Sequence, residues 1–377
     1  MDPALQKTLT FILFILVGFL IRKKFANKDQ VNGIKNMILT IALPSTIFVA
    51  LMGVQIEASM LIYPAMALVF NFALFAITPL LLKLFGIAAE SAQGRTLALL
   101  LPSLAPGLSC FPFILEYLGE DALANAALAD VGNKFFVLIF LYVVAMNLFL
   151  RRNKGEANGS KGKIKSLLLS LIQEPINMVI MLALVLLALG LNFESLPSFI
   201  GDTFSRFSLM MTPMVLLFIG LAVKIDREAL GKVFCVLLSR AGISMLFSAL
   251  IVTLFGLTNP AVILLAVVFP LSSCSFWPFA HMAAFDAKEV EQKNKQFTFD
   301  IEYGVLVLAC SLPISTLLIL GVLASGHTFA NVSTIALSGV ILIALGVLPT
   351  LLRRINWSTD ALSLSSKDRK RMVEQTK

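Results

Sequence analysis

The sequence predicts an all-α polytopic membrane protein made of two five-helix repeats of inverted topology, with crossed broken helices at segments four and nine and an eleventh C-terminal helix. Three observations lead there. Of 377 residues, 58% are hydrophobic and 14% charged, and the mean hydropathy is +0.90, which excludes a water-soluble globular domain. Two apolar stretches are interrupted by proline in related ways, LPSLAPGLSCFPF at Leu101–Phe113 and FPLSSCSFWPF at Phe269–Phe279. Further features recur between the two halves at a similar separation.

Apolar runs near the length a spanning helix requires fall at roughly 8–22, 37–54, 61–82, 96–118, 123–150, 167–191, 206–223, 229–256, 260–285, 297–324 and 330–352. The first is the shortest and ends at Arg22-Lys23-Lys24; no small-residue cleavage site precedes that cluster, so it reads as a helix and not as a signal peptide. The second and seventh each carry one proline in mid-helix, Pro44 and Pro213. The fourth and ninth hold the breaks, centred near Pro106-Gly107 and Ser272-Ser273. A proline inside a lipid-facing helix leaves a carbonyl unpaired in hydrocarbon, so two such breaks in matching places mark a shared cavity.

The fifth segment opens with Asp130-Val131 and continues to Val137-Leu138; the tenth opens with Asp300-Ile301 and continues to Val307-Leu308. Recurrence at the second, fourth and fifth members of each half reads as an internal repeat. Five helices is an odd number, so the second copy enters the membrane from the opposite side. The expected organisation is a first repeat over 1–152, a linker over 153–166, a second repeat over 167–324, an extra helix over 325–352 and a basic tail over 353–377.

Charge distribution gives the orientation, because Lys and Arg accumulate on the cytoplasmic side of short loops. With the N-terminus outside, all 30 basic residues fall inside except Lys7 and Arg206, which fall outside, and Lys134 and Arg240, which lie within helices. The outer segments carry Glu57, Glu116, Glu120, Asp121, Glu194 and Asp202. The expected topology is N-out and C-in. The net charge of +8 resides in RKKFANK, in the linker and in KDRKR, where orientation requires it. Anionic lipid is the expected partner of those runs, and nucleic acid is not.

Cys110, Cys235, Cys274 and Cys310 lack metal-ligand spacing, so no metal site or disulfide is expected from them. No nucleophile–base arrangement, phosphate-binding loop or metalloprotease pattern is present, which argues against an enzyme and against an ATP-driven pump. No cofactor is expected.

The run EPINMVIMLALVLLALGLNFESLPSFIGDTFSRFSLMMTPMVLLFIGLAV resembles the auxin efflux carrier family, as do MDPALQKTLTFILFILVGFLIRKK and the Pro44 helix. The resemblance spans most of residues 1–324. It implies a ten-helix carrier of organic anions, related in fold to bile-acid and sodium/proton transporters, and a place in a bacterial inner membrane. The chain departs from the family where APGLSCFPF replaces an Asn-Thr-Gly-Phe-like motif, where Glu174 precedes Pro175 in place of asparagine, and in having an eleventh helix.

Paired discontinuous helices are the sequence's pointer to a transporter's binding site. Half-helix N-termini favour an anion through free N–H groups and partial positive charge. The substrate-binding candidates are Pro106, Gly107, Ser109, Ser272, Ser273 and Ser275, with Arg240 offering a guanidinium to a carboxylate. Each serine alone equally fits capping of its own helix, and Arg240 equally fits snorkelling to the inner interface.

The ion-coupling candidates are Asp130, Asn133, Lys134, Asp300, Glu302 and His281, with a proton or sodium as the coupling ion and sodium placed at Asp130 or Asp300. Asp130 and Lys134, four apart on one helix, also read as a self-neutralising buried pair; Asp300 as a solvated interfacial residue; His281 as a hydrogen-bonded core histidine. The leading expectation is an ion-coupled secondary transporter of a small organic anion, working by alternating access, with homodimer formation open. The alternatives are a cation/proton exchanger without an organic substrate and a non-translocating membrane sensor.

Overall fold

The structure, a computed structural model, describes residues 3–25, 27–53, 58–152, 175–222, 230–291 and 297–350. The expected linker at 153–166 and basic tail at 353–377 lie outside the described residues, as do Glu57 and Glu174. Helices account for the described secondary structure, apart from an isolated β-bridge between Ala105 and Ser273. The chain is an all-α polytopic membrane protein. Seven of its described helices are long and apolar enough to cross a membrane.

The helices follow the apolar runs in order. They are α1 (Pro3–Ile21), α2 (Lys28–Met37) and α3 (Leu43–Met52), then α4 (Ile62–Leu84), α5 (Ala92–Leu100), α6 (Pro106–Ser109), α7 (Phe111–Leu118), α8 (Glu120–Phe135) and α9 (Leu141–Arg152). After these come α10 (Pro175–Ala188), α11 (Ser198–Ala222), α12 (Leu230–Leu254), α13 (Pro260–Val268), α14 (Phe276–Glu291), α15 (Ile301–Ala324) and α16 (Val332–Thr350). Helix α11 begins earlier than the apolar pattern places it, so Asp202 and Arg206 are exposed helical residues and not part of a loop. Polar residues on an exposed face do not interrupt a helix, and hydropathy therefore locates its start too late.

Two wide turns interrupt otherwise continuous spans. The ladder between α2 and α3 slips over Ile38–Ala42, where the Leu43 N–H donates to Ile38. Pro44 follows at once and has no N–H to offer, so the local pattern widens by one residue instead of leaving the span broken. A second wide turn, Phe136–Phe140, joins α8 to α9.

Packing separates the spans into two neighbouring bundles. In one, α1 runs along α11, and α3 lies against α10 and α11. In the other, α4 packs on α5 and α8, α12 on α13 and α15, and α14 on α9 and α15. The bundles meet where α3 touches α8, α7 touches α11 and α1 touches α15. Gly132 shows how close the second bundle is: a Cβ there would collide with the backbone of Pro64, so α8 and α4 approach at a position only glycine permits.

Candidate functional site

The broken segments meet. After α5 the chain turns at Leu101-Pro102 and runs irregularly through Ser103 and Leu104; after α13 it turns at Phe269-Pro270 and runs irregularly through Cys274 to Ser275. The Ala105 N–H donates to Ser273 O at 2.8 Å across the bridge. The Ser273 N–H donates to Ser109 Oγ at 3.0 Å, and the Ser275 N–H donates to Ser103 Oγ at 2.9 Å. Each break thus supplies acceptors for the other's orphaned N–H groups, which is how irregular backbone survives at membrane depth.

The first break lies a few residues before its expected centre. Pro106 and Gly107 open the short helix α6, with Pro106 at its start, where the missing N–H has no helical acceptor to serve. Gly107 faces α3 and the wide turn before it: a Cβ there would lie 2.9 Å from Leu43 Cδ2 and 3.9 Å from Leu39 Cδ2.

The serines are buried, and the hydroxyls of Ser103, Ser109, Ser272 and Ser273 donate to backbone carbonyls. Ser103 Oγ donates to Leu100 O at 2.6 Å, Ser109 Oγ to Ala105 O at 2.8 Å and Ser272 Oγ to Phe269 O at 2.6 Å. Ser273 Oγ reaches Ala105 O at 3.5 Å, and Ser275 Oγ accepts from the Trp277 N–H at 3.3 Å. Their observed work is to cap the breaks and tie them together.

Arg240 is 2% exposed in the middle of α12 and does not snorkel. Its Nε donates to Leu101 O at 2.6 Å, Nη1 to Ser272 O at 3.0 Å and Nη2 to Ser103 O at 3.0 Å. One guanidinium therefore bridges carbonyls from both breaks. Its cationic fork suits this, because helix C-terminal ends carry about half a negative charge each, so one guanidinium roughly balances two of them. Among the described residues no carboxylate stands within ion-pair distance of it.

Asp130, Asn133 and Lys134 lie on the buried face of α8 and adjoin the first break. Lys134 Nζ is 3.5 Å from Asp130 Oδ2. Asn133 Nδ2 donates to Asp130 Oδ1 at 2.8 Å and to Leu104 O at 3.0 Å. The amide of Asn71 on α4 joins them, its Nδ2 donating to Asn133 Oδ1 at 3.0 Å. Asn71 is fully buried and absent from the sequence's candidates. The available signal was a lone amide in the apolar third segment, and its separation from Arg240 is close to that between Ala105 and Ser273. A second missed residue is Ser311 on α15, whose Oγ accepts from the Cys274 N–H at 3.2 Å.

Asp300 and Glu302 stand apart from this cluster. Asp300 is the N-cap of α15, its carboxylate accepting from the Tyr303 N–H at 3.0 Å while its own N–H donates to Thr96 Oγ1 at 2.9 Å. Glu302 is an exposed first-turn residue of α15. The spacing that pairs Asp130 with Asp300 in sequence therefore does not give them equivalent places: one is inside a helix and the other precedes one. His281 is 6% exposed, and its Nε2 donates to Val137 O at 3.1 Å within the wide turn after α8.

A cavity of about 470 Å³ lies along α1 and α11, lined by Gln6, Thr10, Thr212 and apolar residues of those two helices together with Glu116 of α7.

No protein-family model matches the chain. The chain is similar to an uncharacterized transporter of Methanocaldococcus jannaschii, with 26% identity over 220 residues that cover 57% of this chain and 67% of that protein.

Proposed function

We propose that this protein is a membrane transporter, specifically an ion-coupled secondary carrier of a small, carboxylate-like organic anion, working by alternating access of the two bundles around the crossover. The observation that carries this reading is Arg240. Its guanidinium lies between two broken helices, holds carbonyls of both and has no carboxylate partner among the described residues. With the carbonyl ends balanced in this way, the N–H end of α14 at the crossover is left with partial positive charge, which favours an anion.

Three supports accompany it: the cavity where Glu116 of α7 meets α1 and α11, the similarity to a protein named as a transporter, and the resemblance of the sequence to the auxin efflux carriers. The inverted arrangement of the repeats, the N-out and C-in orientation, a bacterial inner membrane and contact of the basic loops with anionic lipid belong to the same proposal. In this reading Asp130, with Asn133 and Lys134, is the site of coupling to a proton or sodium. A cation/proton exchanger is the second reading, favoured by that same buried pair.

The test is a thermal-shift screen of carboxylates on the purified protein, followed by uptake into proteoliposomes. A ligand that binds only the folded state raises its apparent stability by mass action. Saturable stabilisation and uptake of a carboxylate are expected. Stabilisation by cations alone, with collapse of a pH gradient and no carboxylate movement, favours the exchanger instead.

A further inference from the structure

The face of α2 and α3 that lies over the crossover carries a cation that the sequence reading did not select. Leu43 and Leu39 on that face meet Gly107 of the first broken segment. Further toward the start of α2, Lys35 places its Nζ 4.9 Å from the centroid of the Phe276 ring, and Phe276 is the first residue of α14 in the second broken segment. A single span from one bundle therefore touches both broken helices of the other, through leucine at one and lysine at the other.

The other basic groups described around the crossover are already engaged. All three nitrogens of Arg240 donate to backbone carbonyls. Lys134 pairs with Asp130. Arg95 donates to Thr298 O and Glu90 O. Lys35 is different: it belongs to the span Asp29–Met52, is half-buried, and has no carboxylate within ion-pair distance among the described residues. Its ammonium is set over the Phe276 ring, and an aromatic face is a weak substitute for an anion.

Phe276 supplies an independent observation. Its neighbour Ser275 is 3% exposed, yet Phe276 is 51% exposed at the same junction. Its ring is therefore half exposed at the point where α2 meets the second break.

We propose that Lys35 is a substrate-binding residue that pairs with the carboxylate of the transported anion at the crossover, with Phe276 forming an apolar wall beside it. The proposal rests on the organic-anion reading and adds the group that meets the anion directly. Arg240 organises the breaks, and Lys35 receives the charge.

The test uses Trp277, which adjoins Phe276. The chain has two tryptophans, so Trp357→Phe makes Trp277 the single reporter. The full-length protein in nanodiscs is titrated with a series of aliphatic carboxylates from formate to succinate and with the matching neutral amides. A saturable change in Trp277 fluorescence with a carboxylate but not its amide is expected. Lys35→Met is expected to weaken that binding by at least about tenfold, and Lys35→Arg to retain most of it, since hydrogen bonds to charged groups are worth about that much.

Unchanged affinity in Lys35→Met overturns the proposal while leaving the anion reading intact. Silence of the parent protein across the whole series, in fluorescence and in thermal stability, overturns the anion reading itself and Lys35 with it. Should Lys35→Met fail to run as a monodisperse species, Lys35→Gln removes the charge while keeping a polar stem, and unchanged binding there is equally fatal.

Discussion

Replacing Arg240 by methionine removes one side chain and strands three carbonyls. Leu101 O, Ser103 O and Ser272 O each accept from the guanidinium, at 2.6, 3.0 and 3.0 Å. Methionine fills much of the same volume, so the effect isolates the lost donors from the lost packing. A buried acceptor left without its donor costs about 1–3 kcal/mol, which for three gives about 3–9 kcal/mol before relaxation or water entry. That loss is comparable to the whole stability of a typical domain, about 5–15 kcal/mol, so Arg240→Met is expected to fall sharply in folded yield. Arg240→Lys keeps the charge but has no planar fork to reach three carbonyls at once, and an intermediate loss is expected. The assay is thermal unfolding in detergent monitored by size-exclusion, without added anion. The decisive contrast is with a side chain whose work is to bind substrate: its removal would leave ligand-free stability unchanged and abolish only the anion-dependent shift. If Arg240→Met matches the parent to within about 0.5 kcal/mol, a difference ordinary for a surface substitution, the clamp argument is wrong.

For Asp130 and Lys134, breaking the pair from either side is expected to cost about 3–5 kcal/mol if it is wholly structural; a double Asp130→Asn/Lys134→Met variant that regains both yield and gradient-driven uptake would show that Asp130 has no coupling role. Gly132→Ala is expected to destabilise by about 1–3 kcal/mol or more, because the new methyl group meets the Pro64 backbone and forces α8 away from α4; an unchanged melting temperature refutes that close approach. Cysteines placed in the Asn153–Lys165 linker are expected to resist membrane-impermeant thiol reagents in intact cells, and efficient labelling from outside reverses the N-out orientation.

The fold class was legible because lipid imposes a simple rule: about 20 apolar residues per span, and every backbone group paired. The same rule made the breaks visible, since Pro102, Pro106, Pro112, Pro270 and Pro278 cannot sit in continuous helices without consequence. What the sequence could not state is where the freed backbone groups go. Proline marks a missing donor but not its replacement, and here the replacements come from residues far along the chain, Ser103 for Ser275 and Arg240 for Leu101.

The sequence by itself determined the all-α membrane class, the order of the apolar runs, the two that break, and the presence of polar groups among them. Tertiary structure alone decided the role of each polar group. Arg240, which the sequence offers as either snorkelling or substrate-facing, is a clamp on both breaks, because an arginine in mid-helix finds carbonyls before it finds water. Asp130 and Asp300, which spacing presents as equivalents, part company because one lies inside α8 and the other caps α15. Lys35 and Asn71 gained significance only when packing set them beside the broken helices. Periodicity reports how a chain meets lipid, residue by residue; the meeting of two segments some 168 residues apart is a property of the packed chain.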